Sequence, residues 1–139
     1  MAREVELTRI VALSCGHRYW RSDWTAEQNR SAFGAFASPF SHGHNYVIEV
    51  TYAGAVNSDD GMVINIKTLD DLIRTQLVDP LHQRSLNDEI AYFATKSPSL
   101  ENFLAFARER LSAPDGVRLT HLLIRELPEL WAEWTPTTM

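Results

Sequence analysis

Along the first seventeen residues the odd positions carry Val5, Leu7, Val11, Leu13, Cys15 and His17, interrupted by Arg9, while the even positions open with Glu4, Glu6 and Thr8. A two-residue period places these rows on opposite faces of an extended chain. The opening segment is therefore committed to a half-buried β-strand whose inward row ends on a histidine. The same alternation returns at 42–53, where His42, His44, Tyr46, Ile48, Val50 and Tyr52 share one face. If the two strands pair antiparallel, the end of the first lies beside the start of the second. His17, His42 and His44 then meet at adjoining strand ends.

Between these strands, residues 18–41 show little periodicity and hold Tyr19, Trp20, Trp24, Phe33, Phe36 and Phe40 among polar side chains. They read as a long functional loop with a short helix near 25–31. Gly54, Asn57, Asp59, Asp60 and Gly61 mark a turn, and Met62 to Ile64 a short return strand. Ile66, Leu69, Ile73 and Leu77 form the apolar stripe of a helix over 66–78, with Asn65 as N-cap and Pro80 as its stop. Leu100, Phe103, Leu104, Ala107 and Leu111 define a second helix over 98–112, with Ser97 as cap and Pro98 in its first turn. Two closing strands follow at 117–126 and 129–135, split by Pro128. This order predicts an α+β fold, an antiparallel four-stranded sheet with two helices on one face. With no linker or repeat, the chain reads as a single domain over 1–139.

Composition excludes several functions. The formal charge of −5 argues against a general nucleic-acid binder, which needs a basic face. Cys15 is the only cysteine, so no internal disulfide can form. No apolar run approaches the roughly 20 residues of a membrane span. Glu4 and Glu6 interrupt the N-terminus where a secretory signal needs apolar residues. A cytoplasmic protein with no membrane partner is expected.

His42-Gly43-His44 projects two imidazoles from one strand face, and His17 supplies a third. Neutral imidazole is a good ligand for Zn²⁺, and three protein ligands leave a coordination position open, as catalytic zinc sites do. His82 and His121 fall outside this set. An HxH pair also occurs without metal; the addition of His17 at the adjoining strand end is what favours a site.

The segments Ser14-Cys15-Gly16-His17-Arg18, Pro39-Phe40-Ser41-His42-Gly43-His44-Asn45-Tyr46, Gly61-Met62-Val63-Ile64-Asn65-Ile66, Asp79-Pro80-Leu81, Ala91-Tyr92-Phe93, Ser97-Pro98-Ser99-Leu100-Glu101-Asn102 and Arg125-Glu126 resemble, in that order, motifs of the 6-pyruvoyltetrahydropterin synthase and 6-carboxytetrahydropterin synthase family. The resemblance spans nearly the whole chain, and HGHNY is its most specific part. It implies a tunnelling fold, with trimers whose sheets join into a barrel and two trimers stacked as a hexamer. It implies active sites between subunits and a zinc-dependent carbon–oxygen lyase that eliminates triphosphate from 7,8-dihydroneopterin triphosphate. Biopterin-type and deazaguanine (queuosine-type) routes both use such folds. Glu126 falls where the family anchors the pterin, and Ser99 and Glu101 fall in a further pterin-contacting segment. A carboxylate can accept the donor pair of a pterin's amino group and ring N–H together. Without the resemblance, Glu126 reads as a solvated strand residue and Glu101 as a first-turn carboxylate favoured by the helix dipole.

The chain departs from the family in its proton-transfer residues. The cysteine position holds Phe36, or Ser38 under the shorter spacing of the carboxy-type enzymes, and the Asp-His pair becomes His82-Gln83. Phenylalanine and glutamine cannot exchange protons at neutral pH, and serine needs an adjacent base. His82 is a candidate acid–base group because imidazole titrates near neutrality; it also reads as an exposed loop residue. Cys15, on the same strand face as His17, is a candidate thiolate, though the residue type reads first as a small core residue. The alternatives to a pterin lyase are a non-catalytic zinc- and pterin-binding protein, or a different reaction on a related bicyclic substrate.

Overall fold

The computed structural model describes residues 3–137. Strand β1 (Glu4–His17) runs antiparallel to β2 (His42–Ala55), in unbroken register from Glu4↔Ala55 to His17↔His42. β2 pairs antiparallel on its other side with β4 (Val117–Leu127), which pairs antiparallel with β5 (Leu130–Trp134). A two-residue strand, β3 (Arg84–Ser85), lies parallel to β1 at Cys15 and Gly16, so the sheet has the order β3-β1-β2-β4-β5.

One face of this sheet is covered by helices. Helix α2 (Ile66–Ile73) continues through a π turn, Arg74–Val78, into α3 (Asp79–Leu81). The single turn α4 (Leu86–Glu89) follows β3, and α5 (Leu100–Arg110) closes the layer. The inward rows read from the sequence form the core: Tyr46, Ile48, Val50 and Tyr52 from β2 are at most 1% exposed, as are Leu69, Ile73, Leu77 and Phe103 from the helical layer. Arg9, which interrupts the apolar row of β1, reaches Asp70 on α2 through Nε and Nη2 at 2.8 and 3.2 Å. The interruption is thus an ion pair at the rim of the helix-facing side.

Helix α1 (Ala26–Phe33) lies in the long aromatic loop and starts with a capping box: Thr25 Oγ1 accepts the Gln28 N–H, and Gln28 Oε1 accepts the Thr25 N–H. Asn29, fully buried, accepts the Arg21 N–H and donates to the Arg21 and Thr25 carbonyls, which folds residues 21–25 back on the helix.

Four expectations are corrected. The sheet has five strands, because β3 adds a short parallel partner to β1. Residues 62–64 form no strand; Met62 instead closes a loop in which its carbonyl accepts the Asn57 N–H. Pro80 does not end the helix expected over 66–78. The wide π turn before it shifts the hydrogen-bond pattern, and a residue without an N–H is accommodated at the start of the next turn. The helix expected over 98–112 begins at Leu100, with Ser99 rather than Ser97 as its cap, accepting the Asn102 N–H.

Candidate metal centre

The β1–β2 register sets His17 opposite His42 and Cys15 opposite His44. Between these two pairs Gly16 faces Gly43, and a Cβ built on Gly16 would meet the His42 carbonyl oxygen at 3.2 Å. The histidine rings project to the helix side. His17 Nε2 stands 3.1 Å from His42 Nε2 and 3.2 Å from His44 Nε2. Nitrogens about 2.0–2.1 Å from a tetrahedral ion are about 3.3 Å apart, so the spacing fits one divalent cation. The three residues form a group that could hold a metal ion, His17 buried, His44 half-buried and His42 exposed.

His17 is held in a tautomer suited to this role. Its Nδ1 faces the Pro98 carbonyl oxygen at 3.3 Å. The N–H therefore sits on Nδ1 and the Nε2 lone pair faces the cluster, the outer-shell pattern of metal-binding histidines. Burial holds the imidazole down to about 4, the Pro98 carbonyl opposes this, and His42 and His44 add to the lowering. The His44 imidazole is lowered for the same first reason. His17 is thus neutral at physiological pH, the state a ligand needs.

A carboxylate completes the nest. Glu126, 9% exposed, lies with Oε1 3.8 Å from His17 Nε2. The Tyr46 hydroxyl donates to the same oxygen at 3.4 Å and stands 3.3 Å from His17 Nδ1. Burial pushes that hydroxyl's pKa up, so Tyr46 remains a donor. Tyr19 packs its ring 5.2 Å from His17. Burial, then the charges of Glu126 and Glu101, push its hydroxyl up to about 12. A pocket of about 390 Å³ opens at the β1–β3 edge, lined by His44, Asn45, Gln83 and Arg84 among others; its size is within the range of small-molecule sites.

The other candidate residues are placed as follows. Ser99 caps α5 and Glu101 lies exposed in its first turn. His82 Nδ1 accepts the Ser14 N–H at 3.0 Å, and its side chain is exposed. Gln83, with φ of 65°, donates its N–H to the Ser14 carbonyl. Cys15 is 4% exposed in the core, and burial pushes its thiol up to about 12. Phe36 is 73% exposed, and Ser38 Oγ accepts the Phe40 N–H. The sequence reading missed Tyr19 and the Pro98 carbonyl. It placed Tyr46 on the face of His42 and His44 and in the HGHNY motif, but gave its hydroxyl no role.

A sheet with helices on one face and three imidazoles at adjoining strand ends defines an α+β protein with an open three-histidine centre. The chain matches the family model described as "PTPS: 6-pyruvoyl tetrahydropterin synthase" over residues 6–137. It is 33% identical over 111 residues to a 6-pyruvoyl tetrahydrobiopterin synthase of Dictyostelium discoideum, covering 80% of this chain and 81% of that one. The Homo sapiens protein of that name is 29% identical over 116 residues, 82% of this chain and 80% of the relative. The solved 6-pyruvoyl tetrahydropterin synthase of Caenorhabditis elegans superposes with a TM-score of 0.84 at 24% identity, covering 98% of each chain. The chain belongs to the 6-pyruvoyl tetrahydropterin synthase family, and its fold is that family's tunnelling fold. Among the described residues no helix is long and apolar enough to cross a membrane.

Proposed function

We propose that this protein is a zinc-dependent carbon–oxygen lyase acting on 7,8-dihydroneopterin triphosphate or a related pterin. The observation that carries the reading is the three-imidazole cluster with a buried carboxylate 3.8 Å from one of its nitrogens. Three neutral imidazoles suit Zn²⁺ and leave a position for a substrate oxygen. When bound, zinc supplies Lewis-acid polarisation of the substrate's side-chain oxygens, which eases loss of a carbon-bound proton.

The chain's own residues do the rest. The Pro98 carbonyl fixes the tautomer of His17, and Tyr46 orients Glu126 by donating to Oε1. Glu126 anchors the pterin by accepting its paired N–H donors, and Ser99 and Glu101 contact it from the start of α5. His82 and Cys15 are the acid–base candidates. The protein works as a cytoplasmic homo-oligomer, a trimer or dimer of trimers, of one domain per chain. The outer edge of β5 and most of the β1 edge beyond β3 have no strand partner among the described residues, which supports edge-to-edge joining of copies.

A second reading, a non-catalytic zinc- and pterin-binding protein, draws on two observations: Cys15 is packed in the core and His82 Nδ1 already accepts the Ser14 amide. Incubating the zinc form with dihydroneopterin triphosphate and with dihydroneopterin, with products read by mass, separates the two. Release of triphosphate or a side-chain fragment, abolished by chelation, is expected of the lyase. Pterin binding without product overturns the lyase and leaves the binder. Pterin affinity unaltered by Glu126→Ala removes the anchor.

A further inference from the structure

The single turn α4 holds the residue that follows His17 and, through that residue alone, reaches the one that precedes His42. Asn87 Oδ1 accepts the Arg18 N–H at 2.9 Å, and Asn87 Nδ2 donates to the Arg18 carbonyl at 3.2 Å. The peptide units flanking Arg18, the residue after His17, are thus gripped by one amide side chain. The Arg18 guanidinium then crosses to the other strand, where Nη1 donates to Ser41 Oγ at 3.1 Å, one residue before His42. Asp88 holds that guanidinium with both oxygens, at 2.8 Å to Nη1 and 2.6 Å to Nη2. Asp88 also accepts from Ser85 Oγ at 3.2 Å, and Ser85 sits on β3 opposite Gly16.

The placement matters because β1 ends at His17 and β2 begins at His42. The last pair of a ladder has support from one side only and opens more readily than pairs inside the sheet. The contacts from Asn87 through Arg18 to Ser41 close this pair from the open side. A bidentate carboxylate partner removes most of the rotational freedom of the guanidinium, so the closure has a defined length.

We propose that Asn87 and Asp88 are positioning residues for the three-histidine centre: acting through Arg18, they fix the separation of His17 from His42 and thereby set metal affinity. The proposal rests on the reading of the cluster as a metal centre, and the experiment keeps the two apart. The metal-stripped full chain is titrated with Co²⁺ against a chromophoric chelator, with the visible Co²⁺ band recorded and the metal-free Tm measured alongside. The variants are Asn87→Ala, Asp88→Asn, Arg18→Lys and His42→Ala, with Asp71→Asn as a control that alters a carboxylate about as exposed as Asp88, paired with Lys67 and Arg74.

Loss of a group bonded directly to a ligand weakens metal binding 10–100-fold; these residues act one step further out, so Asn87→Ala, Asp88→Asn and Arg18→Lys are each expected to lower Co²⁺ affinity by the low end of that range, about tenfold, and to alter the band, while Asp71→Asn does neither. Co²⁺ affinity unchanged in Asn87→Ala and Asp88→Asn, with His42→Ala losing the ion, overturns the positioning role and leaves the metal centre standing. A lowered metal-free Tm without a change in affinity overturns it equally, since that is a structural role alone. Co²⁺ retained by His42→Ala overturns the metal centre itself. Should Asn87→Ala fail to fold, Asp88→Asn, an isosteric change at an exposed side chain, decides alone.

Discussion

The complete burial of His17 makes the metal-free protein acid-labile in a defined window. Burial holds its imidazole down to about 4, against 6.5 for an unburied one. Between those values the unfolded chain binds the proton and the folded chain does not, so stability rises with pH there. The contribution is therefore complete above pH 6.5 and is lost as pH falls towards 4. At about 1.36 kcal/mol per unit, the whole displacement amounts to about 3 kcal/mol, of which about 2 kcal/mol is lost between pH 7 and pH 5. Urea unfolding of the metal-stripped protein at a series of pH values measures it. With a slope of about 2 kcal/mol/M, the midpoint should fall by about 1 M over that interval. His17→Gln retains an amide donor for the Pro98 carbonyl and cannot titrate. The variant is expected to be less stable at pH 7 and flatter below it. His44 and the carboxylates remain in both proteins, so the difference between the two curves isolates His17. A difference that stays constant from pH 7 to pH 5 would refute the reasoning.

Three further outcomes are expected. Phe103→Ala removes a fully buried ring packed against Tyr46 and Phe93 and should cost about 3–5 kcal/mol by denaturant unfolding; a loss under about 1 kcal/mol would mean the helical layer does not pack as described. Thr25→Ala opens the capping box of α1 and should cost about 1 kcal/mol in the same assay, with no change from an Ala26→Ser control. Zinc at about 100 times its Kd should stabilise the wild type by about 2.7 kcal/mol, seen as a raised Tm that His42→Ala abolishes.

The parts legible in the sequence were those written in side-chain periodicity. The alternation from Val5 to His17 and from His42 to Tyr52 places the histidines on one face, and hydrophobic pairing of that face leaves little choice of register. The stripes Leu69-Ile73-Leu77 and Leu100-Phe103-Leu104-Ala107-Leu111 did the same for the helices, and all of these residues are buried. What remained unread was held by backbone groups or by too few residues to show a period. β3 has two residues and joins the sheet through main-chain bonds to Cys15 and Gly16. The π turn differs from an α turn only in which carbonyl each N–H finds. The Pro98 carbonyl that orients His17 has no side-chain signature at all, and Arg18 reaches Asp88 across 70 residues of chain. Ser97 and Ser99, on either side of Pro98, are both chemically fit to cap this helix, and the fold chose the second.

Gly16, between the Cys15–His44 and His17–His42 pairs, limits how this centre can be transplanted. A methyl group at position 16 would press at 3.2 Å on the carbonyl of His42, the peptide of a ring-bearing residue. The distance between the two strand backbones at that point thus depends on the side chain absent at position 16, and it fixes where the imidazoles begin their reach. Copying three histidines onto a donor sheet with ordinary residues at the intervening positions would reproduce the donor atoms but not their common focus. An engineered graft would have to carry both strand ends, Gly16 included, as one unit.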